Sequence, residues 1–292
     1  MLSTVITPAG DRVRLHRWLR CALLASAAFS VPAPLLAQRS LSPSSPSGLT
    51  VSPVFEGWYR NPDGTFSLSF GYYNRNTAEV VEVPIGADNI LTPGAGDRGQ
   101  PATFHPNRHW GVFAVRVPAD FGKKEITWTI KFRGSTVSIP GSLKPDWQLD
   151  ALEGEASANN TPPTLSFGTD MPKGQGPLGV TAGPQRVAVG VALALTVLVT
   201  DDAKTSTAAS GSARAGGNVD LAWFKHQGPG DVAFSAPTTR LAPVGGTATT
   251  TATFTRAGEY IVRVRANDSP VASAGHSQCC WTNGFVRVTV TP

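Results

Sequence analysis

Two adjacent cysteines, Cys279 and Cys280, are the rarest chemical feature of this 292-residue sequence, and Cys21 is the only other cysteine. Their Cα atoms should lie about 3.8 Å apart across a trans peptide, so a vicinal disulfide between them would form an unusually small, rigid ring. An oxidising compartment favours that bond, and a ring beside Trp281 could form a flat apolar platform for a ligand. Two thiolates with His276 could instead bind a soft metal, although fixed zinc sites usually separate their cysteines. Packing of two small buried side chains is the third alternative.

Aromatic side chains are the second group of candidates for ligand binding. Trp58 and Tyr59 precede a turn at residues 61–64, and Tyr72 and Tyr73 follow it on the next strand. Neighbouring residues of a strand point to opposite faces, so we expect one ring of each pair to be exposed. Exposed rings flanked by Asn and Arg could stack on the apolar face of a sugar. Packing into the core of a sandwich is the alternative.

Recognisable catalytic motifs are missing from the sequence. It contains no Gly-x-Ser-x-Gly elbow, His-Glu-x-x-His helix or glycine-rich phosphate loop. His105 and His109 have the spacing of metal ligands on a helix, but Pro106 and the surrounding strand pattern oppose a helix there. We therefore expect both histidines in loops or on the surface, and we expect that the protein is not an enzyme.

The first 37 residues have the layout of a secretory signal. Four arginines lie between residues 12 and 20, an apolar run follows over 21–31, and residues 35–37 end in a small residue at the cleavage point. The apolar run is too short to span a bilayer. The sequence predicts a signal peptide over 1–37 and a secreted or periplasmic protein, with no membrane span after signal cleavage.

The charge of the chain excludes one class of partner. Removing the predicted signal takes away four of the 25 Lys and Arg residues and one of the 20 Asp and Glu residues, which leaves a formal charge of +2. The remaining basic residues are scattered singly, apart from Lys123 and Lys124. A nucleic-acid-binding face would have a clustered basic stripe. We therefore predict no nucleic-acid partner.

Short runs of alternating apolar and polar residues dominate the rest of the chain. The clearest run, residues 66–72, follows the turn sequence at 61–64, in which Pro62 and Gly64 favour a tight turn. Many such runs without a helical period predict an all-β protein of antiparallel β-sandwiches. The predicted organisation is a flexible leader over 38–48, a first sandwich over 49–152, a linker with an irregular leading strand over 153–186, and a second sandwich over 187–292.

A set of residues in the second sandwich has a characteristic spacing. The set comprises Gly190, residues 195–202, Leu221-Ala-Trp223, residues 228–230, residues 251–254, Gly258-Glu-Tyr260 with the strand to Val264, Asn267-Asp268, and residues 286–290. The pattern resembles a PKD-like or related immunoglobulin-like domain. The run from Trp223 to Gly230 replaces that family's Trp-Asp-Phe-Gly-Asp-Gly, so the chain resembles a divergent member. The resemblance implies that Trp223 fills the core and that the domain acts as a spacer, adhesion or recognition module.

The resemblance also implies a cluster of polar side chains. In immunoglobulin-like domains the loops after strands B and F lie at the same end of the sandwich. Asp201, Asp202, Asn267 and Asp268 should therefore lie together, near the loop that holds His276 and the two cysteines. Carboxylate and amide oxygens are the ligands that Ca²⁺ prefers, so this end is a candidate Ca²⁺ site. The alternative is that Asp and Asn stand there because they favour turns.

Two hypotheses of different classes follow for the function. The first is an exported, non-catalytic binding or structural module that recognises a carbohydrate or a surface protein. The second is a metal- or redox-linked extracytoplasmic protein that uses His276, Cys279 and Cys280. A hydrolase would be a third, and it would need a cleft that the sequence does not show.

Overall fold

β-Strands form nearly all the regular structure in this computed structural model, which describes residues 45–152, 160–204, 217–268 and 279–292. The strands of residues 45–152, the N-terminal lobe, are β1 (Val51–Arg60), β2 (Phe66–Asn74), β3 (Val81–Glu82), β4 (Asn89–Thr92), β5 (Thr103–Phe104), β6 (Asn107–Val117), β7 (Ile126–Phe132) and β8 (Ser135–Gly141). Those of residues 160–292, the C-terminal lobe, are β9 (Thr164–Ser166), β10 (Lys173–Gly174), β11 (Val180–Ala188), β12 (Leu193–Thr200), β13 (Val219–Gln227), β14 (Val232–Phe234), β15 (Thr238–Leu241), β16 (Gly245–Phe254), β17 (Gly258–Asn267) and β18 (Trp281–Thr291). A 3₁₀ turn at Pro145–Trp147 is the sole helical element of the described residues.

No helix within the described ranges is long and apolar enough to cross a membrane. The signal peptide predicted over 1–37 lies outside those ranges.

The N-terminal lobe packs two three-stranded antiparallel sheets, ordered β1-β2-β6 and β4-β7-β8, around one core. The hairpin predicted around residues 61–64 is present, because β1 pairs with β2 on either side of that turn. Phe55 and Phe70 from the first sheet and Trp128 from the second belong to the core. The indole N–H of Trp128 donates to Oδ1 of Asn89 at 2.9 Å, so its polar atom is satisfied inside the lobe.

The C-terminal lobe has the strand arrangement of an immunoglobulin-like domain. One sheet is ordered β10-β9-β12-β16-β14 and the other β11-β18-β17-β13-β15, with β11 parallel to β18. In immunoglobulin terms β9, β12 and β16 are strands A, B and E, and β13, β17 and β18 are strands C, F and G. Trp223 on β13 is buried in the core, and the hydroxyl of Tyr260 donates to the carbonyl of Arg256 at 2.8 Å, as in a tyrosine corner. The predicted all-β class and the divergent immunoglobulin-like fold of this half are confirmed.

Two segments predicted to be irregular are more regular than expected. β9 and β10 lie within the range 153–186 and β11 begins there and ends at Ala188; β9 pairs with β12 while β11 pairs with β18. Where a linker with one irregular leading strand was expected, residues 164–188 thus contribute three strands to the C-terminal lobe. The described end of the predicted flexible leader, residues 45–48, is also held: the carbonyl of Ser45 accepts from the backbone N–H of Thr77 at 2.9 Å.

A chain of hydrogen bonds joins the two lobes, and the described residues from 45 onward belong to one compact unit. Nη1 of the buried Arg263 donates to Oδ1 of Asn283 at 3.0 Å, and Nδ2 of Asn283 donates to the carbonyl of Gly111 at 2.7 Å. The N–H of Gly111 donates to Oε1 of Glu56 at 3.4 Å. Glu56 is buried, and both its carboxylate oxygens lie 2.7 Å from Nη2 of Arg108. Arg263 of one lobe is thus connected to an ion pair of the other.

Histidines and aromatic rings fill the space beside this chain. The rings of His105 and His109 lie 5.3 and 5.9 Å from that of Phe224, centroid to centroid, so these histidines lie against the C-terminal lobe and not in free loops as expected. Burial, followed by the charge of Arg263, lowers the pKa of His105 to about 4 and that of His109 to about 3. Both rings are therefore neutral at pH 7.

Gly111 lies where the lobes meet, and its replacement by Ala tests how tightly they pack. Its φ is +47°, and a Cβ there would overlap the indole ring of Trp281. We expect Gly111→Ala to lower the free energy of unfolding by about 2–5 kcal/mol, from backbone strain plus overpacking. Urea unfolding measures the loss.

Gly122→Ala is the matched control, because Gly122 also has a positive φ, +59°, but its added Cβ would contact nothing closer than 3.8 Å. We expect a loss of about 1–2 kcal/mol there. Equal losses at the two positions would contradict tight packing at Gly111.

Candidate functional site

The polar residues singled out in the second sandwich come together at one end of the C-terminal lobe. Asp201 follows β12, Asp268 follows β17, and Cys279-Cys280 immediately precede β18. Asn160 lies four residues before β9, and all four strand ends meet because β9 runs antiparallel to β12 and β17 antiparallel to β18. His276, the remaining predicted ligand, lies outside the described residues.

The two cysteines form a buried disulfide at this end of the lobe. Their sulfur atoms lie 3.6 and 3.5 Å from the carbonyl oxygen of Asn160. The backbone N–H of Asp268 donates to the carbonyl of Cys280 at 3.3 Å. The ring therefore packs between the segment before β9 and the segment after β17. Trp281 is also buried, so the ligand platform predicted for this ring is not exposed and that interpretation is corrected.

Two of the three predicted carboxylates converge, and the third points elsewhere. Asp201 and Asp268 are close enough for each to act on the pKa of the other. Oδ2 of Asp202 lies 3.1 Å from Oγ1 of Thr161 and 3.3 Å from Nζ of Lys204, at the partly exposed edge of the cluster. The candidate ligand set is therefore Asp201 and Asp268, with Asp202 outside it.

Burial makes this pair of carboxylates unusual. Burial, followed by the negative charge of Asp201, raises the pKa of Asp268 to about 8. Burial also raises the pKa of Asp201 to about 6, with Asp202 contributing in the same direction. Two carboxylate oxygens that face each other cannot hydrogen-bond unless one of them holds a proton. The site therefore favours an added positive charge, either a proton or a metal cation.

The side chains predicted to bind a carbohydrate do not form an exposed surface. Tyr59 and Tyr72 are buried, and their hydroxyls accept from the N–H groups of Leu178 at 2.8 Å and His105 at 2.9 Å. The indole N–H of Trp58 donates to the carbonyl of Lys144 at 2.7 Å.

Tyr73 is the exposed member of that group, at 44%. The expectation that one ring of each pair is exposed is confirmed for Tyr72 and Tyr73, and Trp58 is more exposed than Tyr59. The buried Tyr59 and Tyr72 are not available to a carbohydrate. Contacts between segments far apart in the chain, such as Tyr59 with Leu178, cover these rings, and local strand alternation cannot show them.

Sequence reasoning missed a groove that begins between the lobes and continues along the N-terminal lobe. One cavity of about 530 Å³ is lined by Arg98 and Ala114 of the N-terminal lobe and by Tyr260 and Arg287 of the C-terminal lobe. A second, more open cavity of about 590 Å³ shares Arg98 and Ala114 and continues along β6 to Lys124. The two cavities form a continuous surface beside one strand. No local sequence signal marks it, because its walls come from both lobes.

That strand, β6, has one free edge facing the groove. It pairs with β2 on its other edge, from Phe113 opposite Phe70 to Val117 opposite Phe66. At its beginning the carbonyl of Gly111 accepts from the side chains of Trp281 and Asn283. Within the described residues, the backbone of Phe113–Val117 makes no hydrogen bond beyond its ladder with β2. Half of a strand edge is therefore capped and half is open.

Comparison with known proteins gives no family for the chain. No family model matches it, and no curated protein matches it. Among solved structures it is similar to the D00-D0 domain of intimin, at 13% identity over 83% of this chain and 100% of that chain, with a TM-score of 0.27. Domains 4 and 5 of the S-layer protein SbsC match at 10% identity over 58% of this chain and 66% of theirs, just under two thirds, with a TM-score of 0.26. These scores are low, so the fold assignment rests on the strand topology described above.

Burial of the cysteines predicts how they react. In the native mature chain we expect iodoacetamide to modify neither Cys279 nor Cys280, with or without mild reductant, because both side chains are fully buried. After unfolding and reduction, both should react. Intact mass spectrometry measures the number of labels, and a Cys279→Ser, Cys280→Ser double variant supplies the zero-label control. Labelling of the native protein after mild reduction would contradict the buried disulfide.

Proposed function

We propose that the protein is an exported, non-catalytic binding module that takes up an extended segment of a partner polypeptide at the free edge of β6. The observation that carries this proposal is the open half of that edge: Phe113 and Ala114 line the cavity between the lobes, and residues 114–117 line the more open cavity beside it on the N-terminal lobe. Export rests on the signal predicted over residues 1–37.

The backbone of β6 favours a peptide ligand. In an antiparallel ladder, alternate residues direct their N–H and C=O groups away from the paired strand. Along residues 113–117 those groups face the groove, where an added strand would satisfy them. Main-chain pairing of this kind requires a partner with a regular series of donors and acceptors, which an extended polypeptide has.

The size of the groove favours a short segment over a folded domain. Its cavities of about 530 and 590 Å³ are in the range of sites for small or extended ligands. The wall formed by Tyr260 and Arg287 faces Ala114 across the first cavity. Five residues of a strand span about 16 Å, which matches the open length of β6.

Charge in the second cavity favours an acidic segment, whereas the first cavity is balanced, with Asp97 and Glu259 beside Arg98 and Arg287. Arg98, Arg116 and Lys124 line the second cavity, and none of its lining residues is acidic among those described. Arg116 also lies 3.1 Å from Asp63, with both side chains about half exposed, so this pair leaves part of the positive charge available. Carboxylates on the partner segment would complement these side chains.

The competing hypotheses have less support in the geometry. The cysteines required by a redox function are buried, so an exchange partner would have no access to the sulfur atoms. The rings required for carbohydrate stacking are mostly buried as well. The cysteines and these rings would have to become exposed before they could bind, whereas the free edge of β6 already lies beside the cavities.

Fluorescence anisotropy with a labelled decapeptide of alternating Thr and Glu tests the proposal. We expect saturable binding, at least tenfold weaker binding of the Thr-Lys counterpart, and loss of binding when prolines replace alternate threonines. An Arg98→Glu, Lys124→Glu variant should bind the acidic peptide at least tenfold more weakly. Lys131→Glu is the matched control, because Lys131 is exposed on β7 and lines neither cavity.

Hydrogen exchange locates the bound peptide. Binding should slow amide exchange in residues 113–117. Equal affinity for the acidic and basic peptides, or unchanged exchange along β6 at saturation, would overturn the proposal.

A further inference from the structure

Four oxygen atoms without hydrogen-bond donors converge at the polar end of the C-terminal lobe. They are Oδ1 of Asp201, both carboxylate oxygens of Asp268 and Oδ1 of Asn160. Asp268 is 3% exposed and Asn160 is fully buried, so water does not reach them freely. The side chain of Asp268 interacts with those of both Asp201 and Asn160. Nδ2 of Asn160 also has no partner at hydrogen-bond distance, and the Asn160 side chain lies close enough to Asp268 to lower the pKa of its carboxyl group.

Such an arrangement is costly unless a positive charge joins it. A buried ionised carboxylate without donors loses its hydration and gains nothing in return, at a cost of several kcal/mol. The nearby Lys204 forms an ion pair with Asp202, at the partly exposed edge of the cluster. When both carboxylates are ionised, Asp201, Asp268 and the carboxamide oxygen of Asn160 form a site with two negative charges and oxygen ligands.

We propose that Asp201, Asp268 and Asn160 bind one Ca²⁺ ion at this end of the lobe. Ca²⁺ takes 6–8 oxygen ligands from carboxylates, amide and backbone carbonyls and water, in flexible geometry. No group of three or more His, Cys, Asp or Glu side chains among the described residues is placed to hold a metal. Asn160 supplies the third side-chain ligand, and waters or backbone carbonyls complete the shell. Mg²⁺ demands near-ideal octahedral geometry, which ligands from separate strand ends fit less well.

The ion would join the two sheets of the lobe. Asn160 and Asp201 adjoin β9 and β12 of one sheet, whereas Asp268 adjoins β17 of the other. The disulfide beside the Asn160 carbonyl holds that residue against the start of β18. The ion would thus provide a polar contact between the two sheets at this end of the lobe. This role does not depend on the peptide groove.

A proton shared between Asp201 and Asp268 is the competing explanation for the same oxygens. It would neutralise one charge and supply one donor. A shared proton needs no metal, so the two explanations differ in what added Ca²⁺ does to the protein.

Calcium titration of the mature protein, purified in EDTA and then desalted, tests the proposal. Isothermal titration calorimetry should give one site, with Kd of about 0.1–1 mM or tighter, as in extracellular modules. At a hundred times Kd, Ca²⁺ should raise the melting temperature by roughly 5–10 °C, and equal Mg²⁺ should raise it less. No heat of binding and no melting shift at 10 mM Ca²⁺ would overturn the proposal.

Two variants assign the effect to the site. Asp268→Asn and Asp201→Asn should each abolish the calcium-dependent melting shift. Asp231→Asn is the matched control and should keep it, because Asp231 is an exposed aspartate of the same lobe outside the cluster. Retention of the full shift by Asp268→Asn would overturn the assignment.

The melting temperature in EDTA distinguishes a role of Asp268 as a Ca²⁺ ligand from a purely structural role. In EDTA, Asp268→Asn should melt no lower than the unmodified protein, because an amide removes the buried charge, can still accept a hydrogen bond from Asn160 and can donate one to Asp201. A loss of several degrees in EDTA together with no calcium response in either protein would show that Asp268 is structural and would overturn the proposal.

Discussion

Burial of Arg263 between the two lobes is the constraint on which the rest of the structure depends. Its guanidinium is stacked 4.6 Å from the Phe224 ring and bonded to Asn283, and burial lowers its pKa to about 9. Asn283 connects it through Gly111 to the buried carboxylate of Glu56. Each member of such a network is costly if its neighbour is removed. The network therefore favours one arrangement of the two lobes, and we expect them to unfold together.

The beginning of β18 links this interface to the two proposed sites. Trp281 and Asn283 cap the first half of the β6 edge and leave the second half facing the groove. Cys279 and Cys280, directly before Trp281, pack on Asn160 at the polar end of the lobe. Residues 279–283, at and just before the start of β18, therefore contact the lobe interface, the β6 edge and the cluster of unpartnered oxygens. Disturbing the interface should therefore affect both sites.

The parts of the structure that could be predicted are those with local signals. Alternating residues predicted the strands, and the Trp223 and Tyr260 positions predicted the immunoglobulin-like fold. The resemblance also placed Asp201 and Asp268 at one end. It could not show that Asp202 turns to Thr161, since that depends on side-chain contacts.

What could not be predicted depends on contacts between distant segments. β11 pairs in parallel with β18, about a hundred residues later, so the sequence indicated a leading strand but not its partner. Leu178 of the C-terminal lobe packs on Tyr59, and residues of that lobe form one wall of the first cavity; neither contact has a local signal in the sequence. Differential scanning calorimetry of the mature protein tests most directly whether the lobes form one body. We expect a single transition whose calorimetric and van't Hoff enthalpies agree. Two resolved transitions, or a calorimetric enthalpy about twice the van't Hoff value, would show independent lobes and contradict the central role of Arg263.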